Sequence, residues 1–214
     1  MRNLITPHRY RAPYDAAELP AVVRAEPSEA ASLARLISHS FRYLDPSAAL
    51  VPDMSSRVAV LSGYFQIIVE HAMTHGRVDV LGDRSAVAVW LDYTKPVPEP
   101  DDYDERRAAV GNRWADNLAH LDALFEQHHP QHPHHYLPLL AVAEHVQGTG
   151  RGSALLAHHH AVLDAAGILA YLEAASWRLT GLYQAHDYHS STPFHMRDHG
   201  PAFWPMKRIP QPTS

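Results

Sequence analysis

The chain has 214 residues, 46% of them hydrophobic, which is sufficient to bury the core of one compact enzyme domain. Its formal net charge is −5 at pH 7 and its lysines and arginines form no cluster. This excludes a nucleic-acid partner, because DNA binding requires grouped cations. The absence of cysteine excludes disulfides, thiolate zinc sites and an acyl-cysteine intermediate.

The sequence also indicates where the protein acts. No apolar run approaches the roughly 20 residues of a membrane span, and the N-terminus lacks the charged-then-apolar order of a signal peptide. We therefore expect a cytoplasmic protein with no membrane partner. Residues 1–19 mix charges, prolines and aromatic side chains without periodicity. They are expected to form a lead-in segment before a single domain over residues 20–214.

Two amphipathic helices are predicted in the first third of the chain. A strand-like stretch at residues 21–24 precedes Pro27 and Ser28, which are typical of a helix start. Asp53 is a suitable N-cap for the second helix, which is expected to end near Gly76. The apolar stripes are Leu33, Leu36, Ile37, Phe41 and Leu44 in the first helix, and Val58, Leu61, Phe65, Ile68 and Ala72 in the second.

The sheet is expected to begin with a hairpin. Residues 78–81 and 85–93 are rich in β-branched side chains and flank a turn at Gly82 and Asp83. A proline-rich linker over residues 95–100 leads to a third helix. Its position before the central strand predicts a wall of the substrate cleft. The apolar seam of this helix is Val110, Trp114, Leu118, Leu121 and Phe125.

The second half of the chain predicts two central strands around one helix. Residues 136–142 and 169–173 are strand-like and bracket a helix over residues 153–166, and irregular strand-like sequence fills residues 188–208. The fold class is therefore α/β with a mixed sheet. Pro138 counts against a fully paired central strand, because proline cannot donate a backbone hydrogen bond.

The stretch Gln147-Gly148-Thr149-Gly150-Arg151-Gly152 predicts a phosphate cradle. Glycines let consecutive N–H groups turn inward, and the start of a helix adds a partial positive charge. A Walker A loop would need lysine and then serine or threonine after its glycines, whereas Arg151 and Gly152 follow Gly150. A dinucleotide fingerprint would need a third glycine where Ser153 stands. Both of these ligand classes are therefore excluded.

The remaining pattern, Gln-x-x-Gly-x-Gly, resembles the pyrophosphate loop of the GNAT acetyltransferase superfamily. In that family the loop joins the fourth strand to the third helix. The order and length of the upstream elements are most similar to puromycin N-acetyltransferase and its relatives. The segments that carry the resemblance are residues 86–90, 136–142, 144–147, 152–156, 172–176 and 181–183, and it covers roughly residues 20–208.

The resemblance implies the GNAT acyl-CoA N-acyltransferase fold, with a mixed central sheet, splayed central strands, flanking helices and acetyl-CoA as acyl donor. The central strand of that family is bulged, which would accommodate Pro138; the alternative is an edge strand. The backbone of Leu140, Ala141 and Val142 would pair with the pantetheine arm as an extra strand. The residues implied to hold the pyrophosphate are Gln147, Gly148, Thr149, Gly150, Arg151, Gly152 and Ser153.

Acetyl transfer to an amine needs a neutral nucleophile and a proton for the departing thiolate. Tyr183 matches the family's acid tyrosine in position, and a phenol is protonated at neutral pH; the alternative is a packed core tyrosine. For the general base, Glu173, His134 and His135 are candidates on or beside the two central strands. An amine that is already neutral would need no base.

The acceptor is less clearly indicated. Five aromatic side chains predict an apolar pocket for a bulky amine, namely Tyr43, Tyr64, Trp90, Tyr93 and Trp114. Core packing explains Trp114 equally well. The first hypothesis is N-acetylation of a small amine, such as an antibiotic or a natural-product intermediate. The second is acetylation of a protein or peptide amino group, and the third is an acyl-CoA-binding sensor without turnover. Formation of a homodimer is left open.

Two residues depart from the family pattern. Leu179 follows Arg178 where relatives often carry an asparagine that contacts pantetheine, and Asp187 stands where glycine is usual. Aspartate tolerates positive φ less readily than glycine, so a different helix exit is expected. The sensor hypothesis is based on Leu179.

Histidine tracts at residues 128–135 and 158–160 invite a metal-binding interpretation. Adjacent residues of a helix point about 100° apart, so three successive histidines cannot converge on one ion. The first tract is interrupted by prolines and lacks acidic partners nearby. We therefore expect no functional metal.

Overall fold

The computed structural model describes residues 19–197 and 199–212. The predicted lead-in over residues 1–19 falls almost wholly on residues 1–18, which lie outside the described residues. The strands are β1 (Val22–Arg24), β2 (Gly76–Leu81), β3 (Ala86–Asp92), β4 (His135–Val142), β5 (Ala170–Ala174), β6 (His189–Ser190), β7 (Phe194–His195) and β8 (Ala202–Arg208).

These strands form one mixed sheet in the order β1-β2-β3-β4-β5-β8-β6, and β7 pairs with β8. Neighbouring strands are antiparallel except for β4 and β5, which are parallel. The predicted hairpin is confirmed, since β2 and β3 pair directly on either side of the turn at Gly82 and Asp83. The α/β class with a mixed sheet is likewise confirmed.

The helices are α1 (Ala30–Phe41), α2 (Asp45–Leu50), α3 (Met54–His75), α4 (Tyr103–Gly111), α5 (Ala115–His128), α6 (Arg151–Ala166) and α7 (Trp177–Gln184). Asp53 caps α3 as predicted, because its side chain accepts a hydrogen bond from the Ser55 N–H at 3.1 Å. The sequence did not predict α2. Its six residues, with proline in the first turn, are too few to show a helical period.

The prediction of one helix along residues 110–125 was wrong, because this region contains two helices. α4 ends at Gly111 and α5 begins at Ala115, with a 3-10 turn between them. Asn112 has a φ of 46°, and a residue in this left-handed region cannot continue a right-handed helix. The break lets α4 pack on α3, while Phe125 of α5 packs against Phe194 of β7 and Phe203 of β8.

The central strand β4 carries a bulge at Pro138. Tyr136 pairs with Leu91 and Leu139 pairs with Val89, so Leu137 and Pro138 together lie opposite Trp90. A bulge leaves one residue unpaired, which is where a strand tolerates proline. On its other side, β4 pairs with β5 at His135 and Tyr136, and this pairing ends there. The splayed central strands of the predicted fold are therefore confirmed.

The two faces of the sheet carry two hydrophobic cores. Alternate residues of β3 divide between them: Val87 and Val89 pack with α1, α3 and α5, whereas Ala88 and Trp90 pack with α6. This is the two-residue period of a strand that is buried on both faces. Among the described helices, none is long and apolar enough to cross a bilayer.

Candidate active site

A cavity of about 1780 Å³ opens where β4 and β5 separate. Residues of the 147–153 segment line one part of it, and α3, α4 and α5 line another. Glu173 of β5 and Tyr183 of α7 also line the cavity. The wall formed by the three helices includes Tyr64, Phe65, Ile68, Tyr103, Leu121, Asp122, Phe125 and Glu126.

The glycine-rich segment leads into the N-terminus of α6. Gly148 and Gly150 have φ values of 76° and 84°, a left-handed conformation that glycine adopts without strain. The first backbone bond into the helix runs from Ala154 N–H to Gly150 O at 2.9 Å. The N–H groups of the preceding residues have no acceptor within the helix, and no acidic side chain lies in this first turn. These N–H groups favour an anion.

Arg151 is held by the turn between β2 and β3. Its Nε donates to Ser85 Oγ at 2.9 Å, and its guanidinium lies 3.6 Å from Asp83 Oδ2. It also donates to Thr149 Oγ1 at 2.6 Å, and that hydroxyl donates to the Val146 carbonyl. Thr149 is the one residue of the predicted set 147–153 that does not line the cavity. Its hydroxyl instead fixes the shape of the loop.

The part of β4 beyond its pairing with β5 faces the cavity. Leu140, Ala141 and Val142 all line the cavity, as the predicted pantetheine contacts would require. The Val142 carbonyl accepts hydrogen bonds from Ser40 Oγ at 2.8 Å and Gln147 Nε2 at 3.1 Å. A side chain of α1 and one of the loop thus hold the end of this strand, and the backbone before it is available to an extended ligand.

Glu173 is an acid in an apolar setting that faces the cavity. Burial raises its pKa to about 7, while the nearby hydroxyls of Tyr136 and Tyr171 act in the opposite direction. The carboxyl lies deep in the molecule, but the cavity leaves the residue partly accessible. Oε1 is buried and has no hydrogen-bond partner. Such a carboxyl exchanges a proton near neutral pH.

Tyr183 lies on α7, on the face of the sheet opposite to the one Glu173 faces. The residue is 9% exposed and packs at 5.8 Å against the edge of Tyr188, and it lines the cavity. Burial raises the pKa of its phenol, so the hydroxyl is protonated at neutral pH. The gap between β4 and β5 therefore brings an acid and a base candidate into one cavity from two faces.

The two histidine candidates lie away from the cavity lining. His135 projects to the α6 face, where its Nδ1 lies 3.0 Å from Nε2 of His159 and its Nε2 lies 3.4 Å from Asp92. Burial, and then His159, lowers the pKa of His135 to about 4. His134 is fully buried and its Nδ1 donates to the His132 carbonyl. The bulge explains the error for His135, since strand periodicity alone did not fix the direction of its side chain.

Tyr64 and Tyr93 line the cavity, whereas Trp90 and Trp114 do not. Trp90 is fully buried in the second core and stacks on His159 with ring centroids 4.1 Å apart. Trp114 lies in the turn between α4 and α5, with the Arg113 guanidinium 4.8 Å from its ring centroid. Tyr43 is 68% exposed on the surface. The predicted aromatic pocket thus keeps two of its tyrosines and loses its tryptophans to core and turn packing.

Sequence reasoning missed the acidic residues of this wall. Asp122 accepts hydrogen bonds from Tyr64 and, at 2.9 Å, from Arg107. Glu126 lies one helical turn further along α5 and also lines the cavity. The signal was present in the sequence, because the two acids are four residues apart and directly follow the seam residues Leu121 and Phe125. Tyr103 belongs to the same wall and was assigned to no element.

Of the two departures from the family pattern, one lines the cavity and the other does not. Leu179 lines the cavity, so an apolar side chain stands in the place of the family's amide. Asp187 has a φ of 65° and continues directly into Tyr188, which is fully buried. The chain thus makes the left-handed exit from α7 with aspartate, and no different exit is needed.

The three successive histidines of α6 diverge. His159 lies 3.7 Å from the buried Asp79 carboxylate, while His160 hydrogen-bonds the Tyr188 hydroxyl at 3.0 Å. His158 faces Arg77 at 3.4 Å. Within the described residues, no group of three histidine or acidic side chains is arranged to hold a metal ion.

Comparison with known proteins supports the fold. No protein-family model matches the chain. A histone acetyltransferase HPA2 and related acetyltransferase from Corynebacterium glutamicum superposes with a TM-score of 0.65 at 23% identity, over 92% of this chain and 99% of that one.

Two animal enzymes are similar at lower identity. The polyamine N-acetyltransferase of Drosophila melanogaster has a TM-score of 0.59 at 14% identity, over 88% of this chain and 99% of its own. The mosquito arylalkylamine N-acetyltransferase like 5b has a TM-score of 0.60 at 14% identity, with the same coverage of both chains. The chain therefore has the fold of the GNAT acetyltransferases.

Proposed function

We propose that the protein is an N-acetyltransferase that moves an acetyl group directly from acetyl-CoA to the amine of a small molecule. The single observation that carries the proposal is one cavity that is lined by Glu173, by Tyr183 and by the N-terminus of α6. These groups supply a proton acceptor, a proton donor and an anion site, which are the functions that this reaction needs.

The donor end of the cavity fits coenzyme A. The N–H groups at the start of α6, reached through the left-handed Gly148 and Gly150, suit a pyrophosphate. The backbone of Leu140 and Ala141 suits an extended pantetheine arm that pairs as a strand would. Arg178 adds a cation to the same part of the cavity lining. Arg151 contributes mainly by holding the loop, because Ser85 and Asp83 already engage its guanidinium.

Glu173 is the proposed general base. An amine enters as an ammonium ion and must lose a proton before it can attack the thioester. Glu173 Oε1 has no hydrogen-bond partner, and with a pKa of about 7 the carboxylate can take that proton and then release it to solvent. His135 no longer belongs to the proposal, since its side chain lies on the α6 face and contacts His159.

Tyr183 is the proposed general acid. As the carbon–sulfur bond breaks, the departing thiolate requires a proton, and a buried phenol in the cavity wall can donate it. The raised pKa of this phenol keeps it protonated at neutral pH, so its proton is present when the thiolate departs. The hydroxyl then regains a proton from solvent. The nitrogen loses its second proton, again to Glu173, as the tetrahedral intermediate collapses. Acetyl thus passes from sulfur to nitrogen while the nitrogen loses two protons through Glu173 and the sulfur gains one from Tyr183.

Two structural neighbours support an amine acceptor, because one is a polyamine N-acetyltransferase that forms N-acetylagmatine and the other is an arylalkylamine N-acetyltransferase like 5b. The resemblance to puromycin N-acetyltransferase adds antibiotic amines to the acceptors to be tested. The proposal places the reaction in the cytoplasm, where acetyl-CoA is available, and leaves the oligomeric state to measurement.

A thiol-release assay with acetyl-CoA and a panel of amines and peptides tests the proposal. We expect turnover with small amines, including one or more antibiotic amines, and none with peptides. Turnover of peptides alone would favour a protein acetyltransferase. Tight coenzyme A binding without turnover of any acceptor would favour a sensor, and no coenzyme A binding would contradict the donor site itself.

A further inference from the structure

We infer that the acceptor is an amine that carries an aromatic group and has no carboxylate next to its nitrogen. This inference rests on the proposed function and adds the class of acceptor. It is based on the distribution of charge and aromatic side chains along the cavity. The donor part of the cavity is lined by residues of the 147–153 segment and the acceptor part by α3, α4 and α5. The two parts differ in charge and in aromatic content.

The wall formed by α3, α4 and α5 is aromatic. Tyr64, Phe65, Tyr103 and Phe125 line this part of the cavity. Tyr93, at the end of the hairpin, lines it as well and stacks on the buried His134 with ring centroids 5.4 Å apart. Flat, rigid walls of this kind favour an aromatic ligand, because they give a large contact area at a low entropy cost.

The charges of this part of the cavity are negative. Glu126 and Glu99 line the cavity and are exposed to solvent. Asp122 also lines it, but Arg107 at 2.9 Å compensates its charge. Glu126 and Glu99 are thus the carboxylates that meet an incoming ligand, and they attract an ammonium ion.

Cationic side chains lie at the other part of the cavity. Among the described residues, the arginines that line the cavity are Arg151 and Arg178, at the start of α6 and α7, and no lysine lines it. The half-buried His129 has its pKa lowered to about 4 by desolvation, so it adds no positive charge at neutral pH. A substrate carboxylate beside the amine would therefore lose water without gaining a cationic partner, and this is unfavourable.

Calorimetric titration of the full chain, saturated with coenzyme A, tests the inference without requiring turnover. The probes are phenethylamine, phenylalanine and phenylalaninamide. We expect phenethylamine to bind at least about tenfold more tightly than phenylalanine, because a carboxylate pays a large desolvation cost here. Phenylalaninamide has the bulk of phenylalanine without its negative charge, and we expect it to recover most of the lost affinity.

A charge reversal on α5 sharpens the test. Glu126→Arg should lower the preference for phenethylamine over phenylalanine by at least about fivefold, since an exposed charge near a ligand acts mainly through electrostatic attraction. Asp116→Arg is the matched control. Asp116 lies on the same helix, is also exposed and does not line the cavity, so its reversal should leave the preference unchanged.

The inference would be overturned if phenylalanine bound as tightly as phenethylamine or more tightly. It would also be overturned if neither phenethylamine nor phenylalaninamide bound. An equal loss of preference in both variants would also overturn it, since the effect would then come from net charge alone. These results differ from failure of the proposed function, in which coenzyme A itself does not bind or no amine of the wider panel is acetylated.

Discussion

Glu173 and His135 lie on opposite faces of the same sheet, and burial shifts their pKa values in opposite directions. The pKa of Glu173 rises to about 7 and that of His135 falls to about 4, because burial disfavours the charged form of each. Their surroundings differ. Glu173 lines the cavity, whereas His135 does not and is hydrogen-bonded to His159 within the protein. Access to a cavity, and not the size of the shift, separates the proposed catalytic group from the structural one.

Removing the carboxylate of Glu173 should produce the largest effect. In Glu173→Gln, we expect kcat to fall by about 1000-fold, because a positioned general base contributes two to four orders of magnitude. The wild-type kcat/KM should rise with pH and level off above about pH 7, since only the ionised carboxylate accepts a proton. The variant should lose this dependence. Steady-state kinetics across pH measure both effects.

His135→Gln is the counterpart on the other face. Its kcat should stay within about twofold of the wild-type value, as expected for a residue that touches no reacting group. If His135→Gln lost as much activity as Glu173→Gln, His135 would again be a candidate for the general base.

Tyr183→Phe should have the next largest effect. We expect kcat to fall by about 100-fold, the lower range for a general acid, because solvent can partly replace the phenol. The Kd of coenzyme A, measured by calorimetry, should change by less than about twofold, since the ring remains in place. An unchanged kcat would identify Tyr183 as a packing residue.

Glu173 and His135 should also have opposite effects on the pH dependence of the free energy of unfolding, and these effects should be smaller than those on kcat. The folded-state pKa of His135 is depressed, so its contribution to the free energy of unfolding is lost as pH falls from about 7 to about 5, by about 2 kcal/mol. The folded-state pKa of Glu173 is raised, so its contribution is lost as pH rises over the same window, by a similar amount.

Urea unfolding at several pH values separates the two contributions. Glu173→Gln should steepen the increase of stability with pH, whereas His135→Gln should flatten it. His129 and His160, whose pKa values burial lowers to about 4 and about 3, add to the loss on the acid side. If the free energy of unfolding changed with pH by the same amount in both variants and in the wild type, the opposite contributions of Glu173 and His135 would be contradicted.

The smallest effect is expected at the donor loop. Gly148 and Gly167 both have positive φ, and a Cβ at either position would meet no atom within 4 Å. Gly148→Ala and Gly167→Ala should each lower the free energy of unfolding by about 1 kcal/mol, because both force a side chain into a strained backbone region. Only Gly148→Ala should also weaken coenzyme A binding, since Gly167 lies at the far end of α6. If Gly148→Ala and Gly167→Ala bound coenzyme A with equal affinity, the loop would not be part of the coenzyme A site.

The sequence predicted local elements well where one period or one motif was sufficient. The stripe of α3 with its Asp53 cap, the hairpin of β2 and β3, and the glycine-rich entry to α6 all follow from residues that are close in the chain. It failed where a single residue interrupts a period. Asn112 divides the predicted helix, and the bulge at Pro138 exchanges the faces of β4.

The sequence by itself determined the α/β class and the glycine-rich entry to α6, because glycines, caps and hydrophobic periods act over a few residues. It also supplied Glu173 and Tyr183 as candidates through the resemblance to the GNAT superfamily. Only the tertiary structure decided which candidates meet. The splay of β4 from β5 opens one cavity to Glu173 and Tyr183, while His135 and Trp90 pack on the α6 face. The direction of a side chain depends on strand register and on packing between elements distant in sequence, which no local pattern encodes.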